Sequence, residues 1–282
     1  MKFTKMHGLG NDYIYINCFK ENVNNPRKLA QVLSDRHFGI GGDGIILICP
    51  SKRADAKMRM FNADGSEAEM CGNGVRCMAA YLYENSMVRK RNMHIETLRG
   101  ILSLELFTAG KHVKKIKVDM GTPIIAAKEI PVAVKKEKII NEKITILKKK
   151  LLFTSVSMGN PHCVIYVKDV ISFPVEKFGP RIEHHRYFPK RTNVEFVEII
   201  SRKEVIQRTW ERGSGETFAC GTGASAVCVA GVLTNKTDTK IVNHLRGGDL
   251  ELQWNGGIKD QAYMTGGVST VFSGEIKLEN IG

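Results

Sequence analysis

Short apolar runs separated by glycine-rich turns make up most of this chain. Residues 13–18 alternate β-branched and aromatic side chains with polar ones, which is typical of a strand. Pro26 begins a predicted helix to about Arg36, with Leu29, Val32 and Leu33 on one face. The pattern therefore changes between a two-residue and a helical period within the first forty residues.

The pattern of apolar and polar residues also predicts many strands and few helices along the rest of the chain. Further helices are expected from each Cys-Gly-x-Gly turn to about Glu84 and Leu233, and at 175–184. Many strands around few helices favour an α+β fold over a doubly wound sheet. The predicted strands are two within residues 2–18, then 45–49, 57–61, 94–98, 101–107, 112–119, 129–134, 143–148, 162–167, 193–200, 205–210, 239–244, 249–254, 261–265 and 268–278.

A Cys-Gly-x-Gly turn before an apolar helix occurs twice, at Cys71 and at Cys220. The two cysteines are 149 residues apart, and Gly10-Asn11 and Gly159-Asn160 have the same separation. Such a long, constant separation predicts an internal duplication rather than a solenoid. We expect two similar domains, each a mostly antiparallel sheet around a central helix: residues 1–121, completed by the C-terminal strands 267–282, and residues 122–266.

Composition excludes several classes of protein. With 282 residues, 43% hydrophobic and 25% charged, the chain resembles an ordinary globular protein of two domains. Its apolar runs are shorter than the roughly 20 residues that span a bilayer, and its first residues do not resemble a signal peptide. Seven scattered cysteines fit reduced cytoplasmic thiols better than a disulfide framework. We therefore expect a cytoplasmic protein that binds no membrane.

The net charge of +13 is concentrated in residues 111–150, which hold twelve lysines and four acidic residues. The lysines alternate with Ile, Val and Leu, which predicts strands with a solvated basic face. Nucleic-acid binding is the alternative, but no aromatic residues are interleaved for base stacking. The sequence thus favours a protein without a nucleic-acid partner.

A cysteine at a helix start is expected to have a lowered pKa, because the helix dipole and unpaired N–H groups stabilise the thiolate. Two such cysteines, one in each domain, suggest a cleft with a thiol on each wall. Three chemistries are open: a redox disulfide, a metal site, and proton exchange at a carbon acid by a thiolate and a thiol. The spacing from Cys71 to Cys77 is not a zinc spacing, so we expect no metal.

The glycine-rich and cysteine loops resemble those of the diaminopimelate epimerases, which are pyridoxal-independent amino-acid epimerases. The resemblance covers nearly the whole chain and is weak at about 124–153. The matching stretches are His7-Gly-Leu-Gly-Asn-Asp-Tyr, Arg36-His-Phe-Gly-Ile-Gly-Gly-Asp-Gly, Phe61-Asn-Ala-Asp-Gly-Ser-Glu, Met70-Cys-Gly-Asn-Gly-Val-Arg-Cys, Ser157-Met-Gly-Asn-Pro-His-Cys-Val, Arg191-Thr-Asn-Val-Glu-Phe, Trp210-Glu-Arg-Gly-Ser-Gly-Glu-Thr-Phe-Ala-Cys-Gly-Thr-Gly-Ala and Tyr263-Met-Thr-Gly.

This resemblance implies interconversion of LL- and meso-diaminopimelate, on the route to lysine and peptidoglycan, by a homodimer that needs no cofactor. It implies Cys71 and Cys220 as the acid–base pair, and His162 and Glu211 as residues that tune these cysteines. The substrate-binding positions that it implies are Asn11, Gly44, Asn62, Gly72, Asn73, Asn160, Asn193, Glu211, Arg212, Gly221 and Thr222.

Two residues depart from the pattern of the family. Gly44 stands where some members carry glutamine, which removes a side-chain contact, and Phe272 stands where some carry a tyrosine at the dimer contact. Two other functions stay open: a proline or hydroxyproline racemase of related fold, and a thiol oxidoreductase that cycles a Cys71–Cys220 disulfide.

Overall fold

The computed structural model describes residues 1–277 and divides into two compact units. The first comprises residues Met1–Val118 and the chain from Gly266 onward, and the second comprises Asp119–Thr265. The domain boundaries predicted at residues 121 and 266 stay predictions, and the last five residues of the predicted 267–282 segment lie outside the described residues.

The first unit is a mainly antiparallel sheet with a helix, α2, packed against it. Along this sheet the strand order is β18-β1-β2-β3-β4-β6-β7-β8, and the short β5 pairs with β4. Among the described residues, β2–β3 and β4–β6 are parallel and the other pairs in this order are antiparallel. Its elements are β1 Lys2–Gly8, β2 Asn11–Asn17, α1 Pro26–Ser34, β3 Gly44–Cys49, β4 Ala56–Asn62, β5 Glu67–Ala68, α2 Gly72–Glu84, β6 Asn92–Thr97, β7 Gly100–Ala109, β8 His112–Asp119 and β18 Ser269–Glu275.

The second unit repeats this topology strand for strand. Its order is β9-β10-β11-β12-β13-β15-β16-β17, and the short β14 pairs with β13. In the part of the chain that the structure describes, β11–β12 and β13–β15 are parallel and the other pairs in this order are antiparallel. The predicted α+β fold with an internal duplication is confirmed. Its elements are β9 Glu142–Ile146, β10 Lys149–Ser157, β11 Pro161–Tyr166, α3 Val175–Glu183, β12 Asn193–Ser201, β13 Glu204–Glu211, β14 Gly215–Thr217, α4 Gly221–Leu233, β15 Lys240–Leu245, β16 Gly248–Gln253 and β17 Tyr263–Gly266.

One helix in each unit is almost wholly buried. In α4, small apolar residues surround the whole helix, and it contacts β10, β11, β12, β15 and β16. A helix that is apolar on all sides is stable only inside a core. In the first unit, α2 packs in the same way against β1, β2, β6 and β7. The first residue of each of these helices follows a candidate catalytic cysteine.

The sequence interpretation was wrong in the lysine-rich part of the chain. No strand forms at 129–134, because Pro131 cannot donate a backbone hydrogen bond and residues 127–131 form turns. Ile130 and its apolar neighbours pack into the core from these turns. Strand β10 was missed because the turn before it uses Leu147 and Lys148, at φ of 50° and 65°, instead of the glycine or asparagine that usually marks a hairpin.

In β9, the alternation of polar and apolar residues gives the predicted strand with one solvated face and one buried face. Ile144 and Ile146 are buried, whereas Lys143 and the lysines at 148–150 are exposed. The basic face is therefore the solvated side of a strand whose other side contributes to the core.

Candidate functional site

In the first unit, the candidate residues collect at one edge of the sheet. Strands β2 and β3 begin at this edge and β4 ends there, since Gly44 is in register with both Tyr13 and Asn62. Asn11 begins β2, and Asn62 ends β4 and donates to Ser66 Oγ at 3.0 Å. The local topology thus brings together residues that are about fifty positions apart in the chain.

Cys71 is the N-cap of α2 and is half-buried. Its Sγ accepts a hydrogen bond from the Gly74 N–H at 3.3 Å and lies 3.2 Å from Asn11 Oδ1. Asn73 Nδ2 is 3.4 Å from the same oxygen, and Asn11 Nδ2 donates to Asp43 at 2.8 Å. The candidate cysteine and two candidate asparagines therefore form one hydrogen-bonded cluster at the helix start.

A buried arginine of α2 holds this cluster in place by hydrogen bonds. Arg76 is inaccessible to solvent and donates to Asn73 Oδ1 at 3.0 Å and to the carbonyl of Gly72 at 3.3 Å. Its guanidinium orients the Asn73 amide and satisfies a carbonyl of the first helical turn. The cationic group thereby fixes the geometry of residues that precede it by three and four positions.

Gly44 has no room for a side chain unless the backbone of a neighbouring strand shifts. A Cβ on Gly44 would lie 2.1 Å from the Phe61 carbonyl oxygen of the neighbouring strand. A glutamine at this position would require a different local backbone. The departure from the family pattern is thus coupled to the close approach of β3 and β4.

The second unit builds the equivalent edge from equivalent strands. Asn160 precedes β11, Asn193 begins β12 and Glu211 ends β13. Asn193 is buried, donates to the Pro161 carbonyl at 2.9 Å and accepts from the Arg212 N–H at 3.0 Å. Both polar groups of the Asn193 amide therefore bind backbone, and they align the neighbouring candidate residues.

Arg212 directs its guanidinium to the carbonyl of Lys190, with Nη1 at 3.3 Å. Its neighbour Glu211 accepts a 2.6 Å hydrogen bond from Thr217 Oγ1. Burial is the main cause that raises the pKa of Glu211, and the Thr217 hydroxyl opposes it. A carboxyl with a raised pKa keeps its proton to a higher pH than an ordinary glutamate does, which suits it to holding or passing a proton.

Cys220 is the N-cap of α4 and is buried, with Thr222 Oγ1 3.5 Å from its Sγ. Gly221 begins the helix, and its carbonyl accepts from Ser225 Oγ at 3.0 Å. The expected lowering of the pKa at this helix start is wrong for Cys220. Burial, followed by the charges of Glu211 and Glu195, raises its pKa well above the ordinary value, and these effects outweigh the helix start.

His162 lies in the core next to this cysteine cluster and is fully buried. Its Nδ1 is 2.8 Å from Glu195 Oε1, and its Nε2 is 3.1 Å from Asn160 Oδ1. The amide of Asn160 continues to Thr222 Oγ1 at 3.3 Å. The structure thus links three candidate residues of the second unit to Cys220 through consecutive hydrogen bonds.

Glu195 is the residue that the sequence interpretation missed. It is wholly buried between Val194 and Phe196 in β12, and its carboxylate faces His162. A signal was present, because a charged residue inside an apolar strand is rarely buried without a specific partner. Arg76, in the apolar helix α2, gives the same signal.

The comparisons with known proteins cover the whole chain. The sequence pattern of the family described as "Diaminopimelate epimerase" matches residues 3–126 and 154–271. The chain belongs to the diaminopimelate epimerase family. Within this family, it is 55% identical over 281 residues to the diaminopimelate epimerase of Acetivibrio thermocellus, with 100% of both chains covered.

Other members of the diaminopimelate epimerase family are similarly close. The diaminopimelate epimerase of Brachyspira hyodysenteriae is 55% identical over 280 residues, with 99% of both chains covered. That of Methanococcus maripaludis strain S2 is 53% identical over 278 residues, with 99% of this chain and 100% of the relative covered. The interval 127–153 between the two matched ranges contains much of the lysine-rich segment.

Solved structures of more distant proteins share the fold of this family member. A hydroxyproline epimerase from Agrobacterium vitis superposes with a TM-score of 0.73 at 15% identity, covering 97% of this chain and 91% of the other. A phenazine biosynthesis protein of the PhzF family from Bacillus anthracis gives 0.73 at 15% identity, covering 98% and 99%. At this identity the likeness establishes the fold alone. Among residues 1–277, no helix has the length and apolar character needed to cross a bilayer.

Proposed function

We propose that this protein interconverts LL- and meso-diaminopimelate by exchanging the proton on one α-carbon. The observation that carries this proposal is membership of the diaminopimelate epimerase family over the full length of the chain. Two cysteines at the starts of equivalent helices supply the acid–base groups that such an exchange needs. The reaction belongs to the biosynthesis of lysine and of peptidoglycan precursors.

In the proposed mechanism, Cys71 and Cys220 act on opposite sides of the same α-carbon. One cysteine, as the thiolate, removes the α-proton, and the other, as the thiol, delivers its proton to the opposite face. The proton count is unchanged, because one S–H bond forms while another breaks. In the reverse direction the two cysteines exchange roles, and no cofactor takes part.

We propose that both helix starts also bind the substrate. Backbone N–H groups at Gly72-Asn73 and Gly221-Thr222 lie at positive helix ends, which suit the carboxylate and the enolate-like charge of the transition state. Asn11, Asn62 and Asn160 would supply neutral hydrogen bonds. Gly44 and Asn193 would shape the two sheet edges, and Glu211 with Arg212 would recognise charged groups of the substrate.

A direct test compares substrates by the stereoisomers formed. The protein is incubated separately with LL-diaminopimelate, L-proline and trans-4-hydroxy-L-proline, and the products are resolved by chiral chromatography. We expect meso-diaminopimelate and no change in either proline. Inversion of proline or hydroxyproline alone would assign the chain to the racemase alternative, and no conversion of any of the three would contradict the proposal.

We further propose a cytoplasmic homodimer. Val271 and Phe272 of β18 are 55% and 47% exposed, and an exposed pair of large apolar side chains favours contact with a second protein surface. Light scattering after gel filtration is expected to give about twice the 31.5 kDa chain mass, and Phe272→Glu is expected to shift it toward one chain. A monomeric wild-type protein would contradict the proposal.

A further inference from the structure

An arginine and an aspartate stand at the two ends of the hydrogen-bonded cluster around Cys71. Arg76 is fully buried and its guanidinium can only donate hydrogen bonds, whereas the carboxylate of Asp43 can only accept them. Arg76 Nη2 donates to Asn73 Oδ1 at 3.0 Å, and Asn11 Nδ2 donates to Asp43 Oδ2 at 2.8 Å. The two amides therefore lie between a fixed donor and a fixed acceptor.

These fixed ends determine which way each amide points. Because Asn73 Oδ1 is turned to Arg76, the Asn73 NH₂ group faces Asn11 Oδ1, at 3.4 Å. Because Asn11 Nδ2 is turned to Asp43, the same oxygen also accepts from the Cys71 thiol, with Sγ at 3.2 Å. Every contact in this series joins one donor to one acceptor. Turning the Asn11 amide over would set its oxygen against the Asp43 carboxylate.

Asp43 is itself held in place by two further donors. The Asp12 N–H donates to Oδ2 at 3.1 Å, and Arg36 Nη2 is 3.1 Å from Oδ1. The Asp12 carboxylate also pairs with Arg36 at 2.7 Å and with Lys5 at 2.6 Å. These ion pairs tie the loop before β3 to β1 and β2, so the carboxylate that faces Asn11 has a fixed position.

The second unit has a different residue at the place of this carboxylate. Thr192 stands 149 residues after Asp43, as Asn160 stands 149 residues after Asn11. The NH₂ group of Asn160 donates to the Thr222 hydroxyl at 3.3 Å. The amide is thus turned to a hydroxyl in one unit and to a carboxylate in the other, so the orientation at Asn11 follows from Asp43 and not from the repeated fold alone.

We propose that Asp43 is a positioning residue of this enzyme: it holds the oxygen of the Asn11 amide toward Cys71, which gives the thiol a hydrogen-bond acceptor and withholds a donor from the thiolate. The inference rests on the proposed function of Cys71 as an acid–base group. Asp43 acts through Asn11, which contacts the sulfur. A hydrogen bond made only by the protonated form favours that form, so Asp43 raises the proton affinity of Cys71 and makes its thiolate a stronger base.

Other groups near the sulfur remain the same when Asp43 is changed. Arg76 and Cys77 of α2 and Tyr15 of β2 interact electrostatically with Cys71. The Gly74 N–H donates to Cys71 Sγ at 3.3 Å. Their contributions cancel when variants that keep all of them are compared.

The decisive variant is Asp43→Ala, compared with the wild type by the pH dependence of Cys71 alkylation. Without the carboxylate, the Asn11 amide can turn over and donate an N–H to the thiolate. The pH at which half of Cys71 is thiolate should therefore fall by about 0.5–1 unit, the size of one hydrogen bond. Iodoacetamide rates of the full-length protein over a pH series, followed on the Cys71 peptide by mass spectrometry, give this midpoint.

Loss of the negative charge of Asp43 would shift the midpoint in the same direction, so the test includes a double-mutant cycle with Asn11→Ala. If Asp43 acts through the Asn11 amide, Asp43→Ala should move the midpoint by no more than about 0.3 unit in the Asn11→Ala background. An equal shift with and without the Asn11 amide would show a direct effect of charge and would overturn the inference.

The matched control is Asp55→Ala in the same unit. Like Asp43, Asp55 accepts a backbone N–H and pairs with a cation: the His94 N–H donates to it at 2.8 Å, and Lys90 Nζ is 2.8 Å away. Asp55 directly precedes β4, whereas the candidate cluster lies where β4 ends. Asp55→Ala should therefore leave the midpoint of Cys71 at the wild-type value.

A measurement on the wild type keeps the inference testable even if no Asp43 variant folds. Below the midpoint pH, the infrared S–H stretching band of Cys71, identified by its loss in Cys71→Ala, should lie at the lower frequency of a thiol that donates a hydrogen bond. A band at the frequency of a thiol without an acceptor would overturn the inference, as would an unchanged midpoint in folded Asp43→Ala.

These outcomes are distinguishable from failure of the proposed function. Alkylation and infrared absorption do not require turnover, so they decide the role of Asp43 whatever the substrate is. A wild-type protein that does not epimerise diaminopimelate would contradict the proposed function alone.

Discussion

The residue environment of each cysteine determines how readily it ionises, and Cys220 illustrates this most clearly. Its pKa is raised by burial and by two nearby carboxylates, so the thiol form predominates before substrate binds. A thiol of this kind can donate a proton without first being protonated by solvent. We therefore expect Cys220 to enter the reaction as the acid in one of its two directions.

This environment predicts a pH dependence for the alkylation of Cys220. Because the pKa is raised, the thiolate fraction should reach one half at a pH above that of an ordinary cysteine. Glu211→Gln removes a charge that raises this pKa, so the midpoint should move to lower pH. Iodoacetamide rates followed by peptide mass spectrometry over a pH series measure both midpoints, and a wild-type midpoint below pH 8.5, the usual value for cysteine, would contradict the assignment.

Two cysteines outside the proposed site, Cys18 and Cys49, provide a second test of how the surroundings of a cysteine set its pKa. In the parallel pair of β2 and β3, Asn17 is in register with Ile48. Cys18 is the next residue after Asn17, and Cys49, the last residue of β3, is the next after Ile48. A hydrogen bond from the Cys18 thiol, aided by the charges of Arg59 and Lys57, lowers the pKa of Cys49, while the pKa of Cys18 is raised. The pair thus divides into one reactive and one unreactive thiol.

At neutral pH, iodoacetamide should label Cys49 several times faster than Cys18. In Cys18→Ala the donor is lost, so labelling of Cys49 should slow, whereas Cys228→Ala in the other unit should leave it unchanged. Faster labelling of Cys18, or no effect of Cys18→Ala, would show that another group controls Cys49. Peptide mass spectrometry at several reaction times gives these rates.

At the level of elements, the site depends on close approaches that only glycine permits. Strands β3 and β4 meet at Gly44, where a Cβ would lie 2.1 Å from a backbone oxygen. The strand predicted at 45–49 was correct but begins one residue earlier, at Gly44, and the packing that excludes a side chain there depends on the partner strand. Sequence alone therefore located Gly44 without revealing why it is glycine.

Gly44→Ala is expected to lower the free energy of unfolding by about 1–3 kcal/mol, the usual range for overpacking. The matched control is Gly267→Ala in the same unit, where the nearest atom to a new Cβ is 3.7 Å away. Chemical denaturation of both variants gives the comparison. Equal stability of Gly44→Ala and the wild type would mean that β3 can shift away from β4 at little cost.

A feature of this structure could be predicted when it leaves a pattern in the local sequence, and not when it depends on contacts formed by folding. The two Cys-Gly-x-Gly turns and the constant separation of 149 residues identified two equivalent units, because a duplication leaves matching residues at a fixed distance along the chain. The turn at Leu147 and Lys148 was not identified, since those residues adopt positive φ only through tertiary context. Glu195 and the raised pKa of Cys220 also depend on burial, which is a property of the folded unit and not of the local sequence.

At the level of the whole molecule, the two units carry the same strand order and the same position for a cysteine at a helix start. In the proposed mechanism, each half offers one acid–base group, Cys71 or Cys220, and two-base exchange requires one from each. The lysine-rich face of β9 lies outside both candidate clusters. The whole lysine-rich segment 111–150, of which β9 is part, holds twelve lysines against four acidic residues and so carries +8 of the net charge of +13, and it adds no group to the proposed reaction.

The measurement that tests the central claim most directly is solvent deuterium exchange by the wild type, Cys71→Ala and Cys220→Ala. In D₂O, the wild type should convert LL-diaminopimelate to meso-diaminopimelate with one deuterium at the inverted α-carbon. Both folded alanine variants should lose epimerisation by at least about 10²-fold, as loss of a general acid or base predicts. Conversion by either alanine variant at the rate of the wild type would contradict the proposal that Cys71 and Cys220 are the acid–base pair.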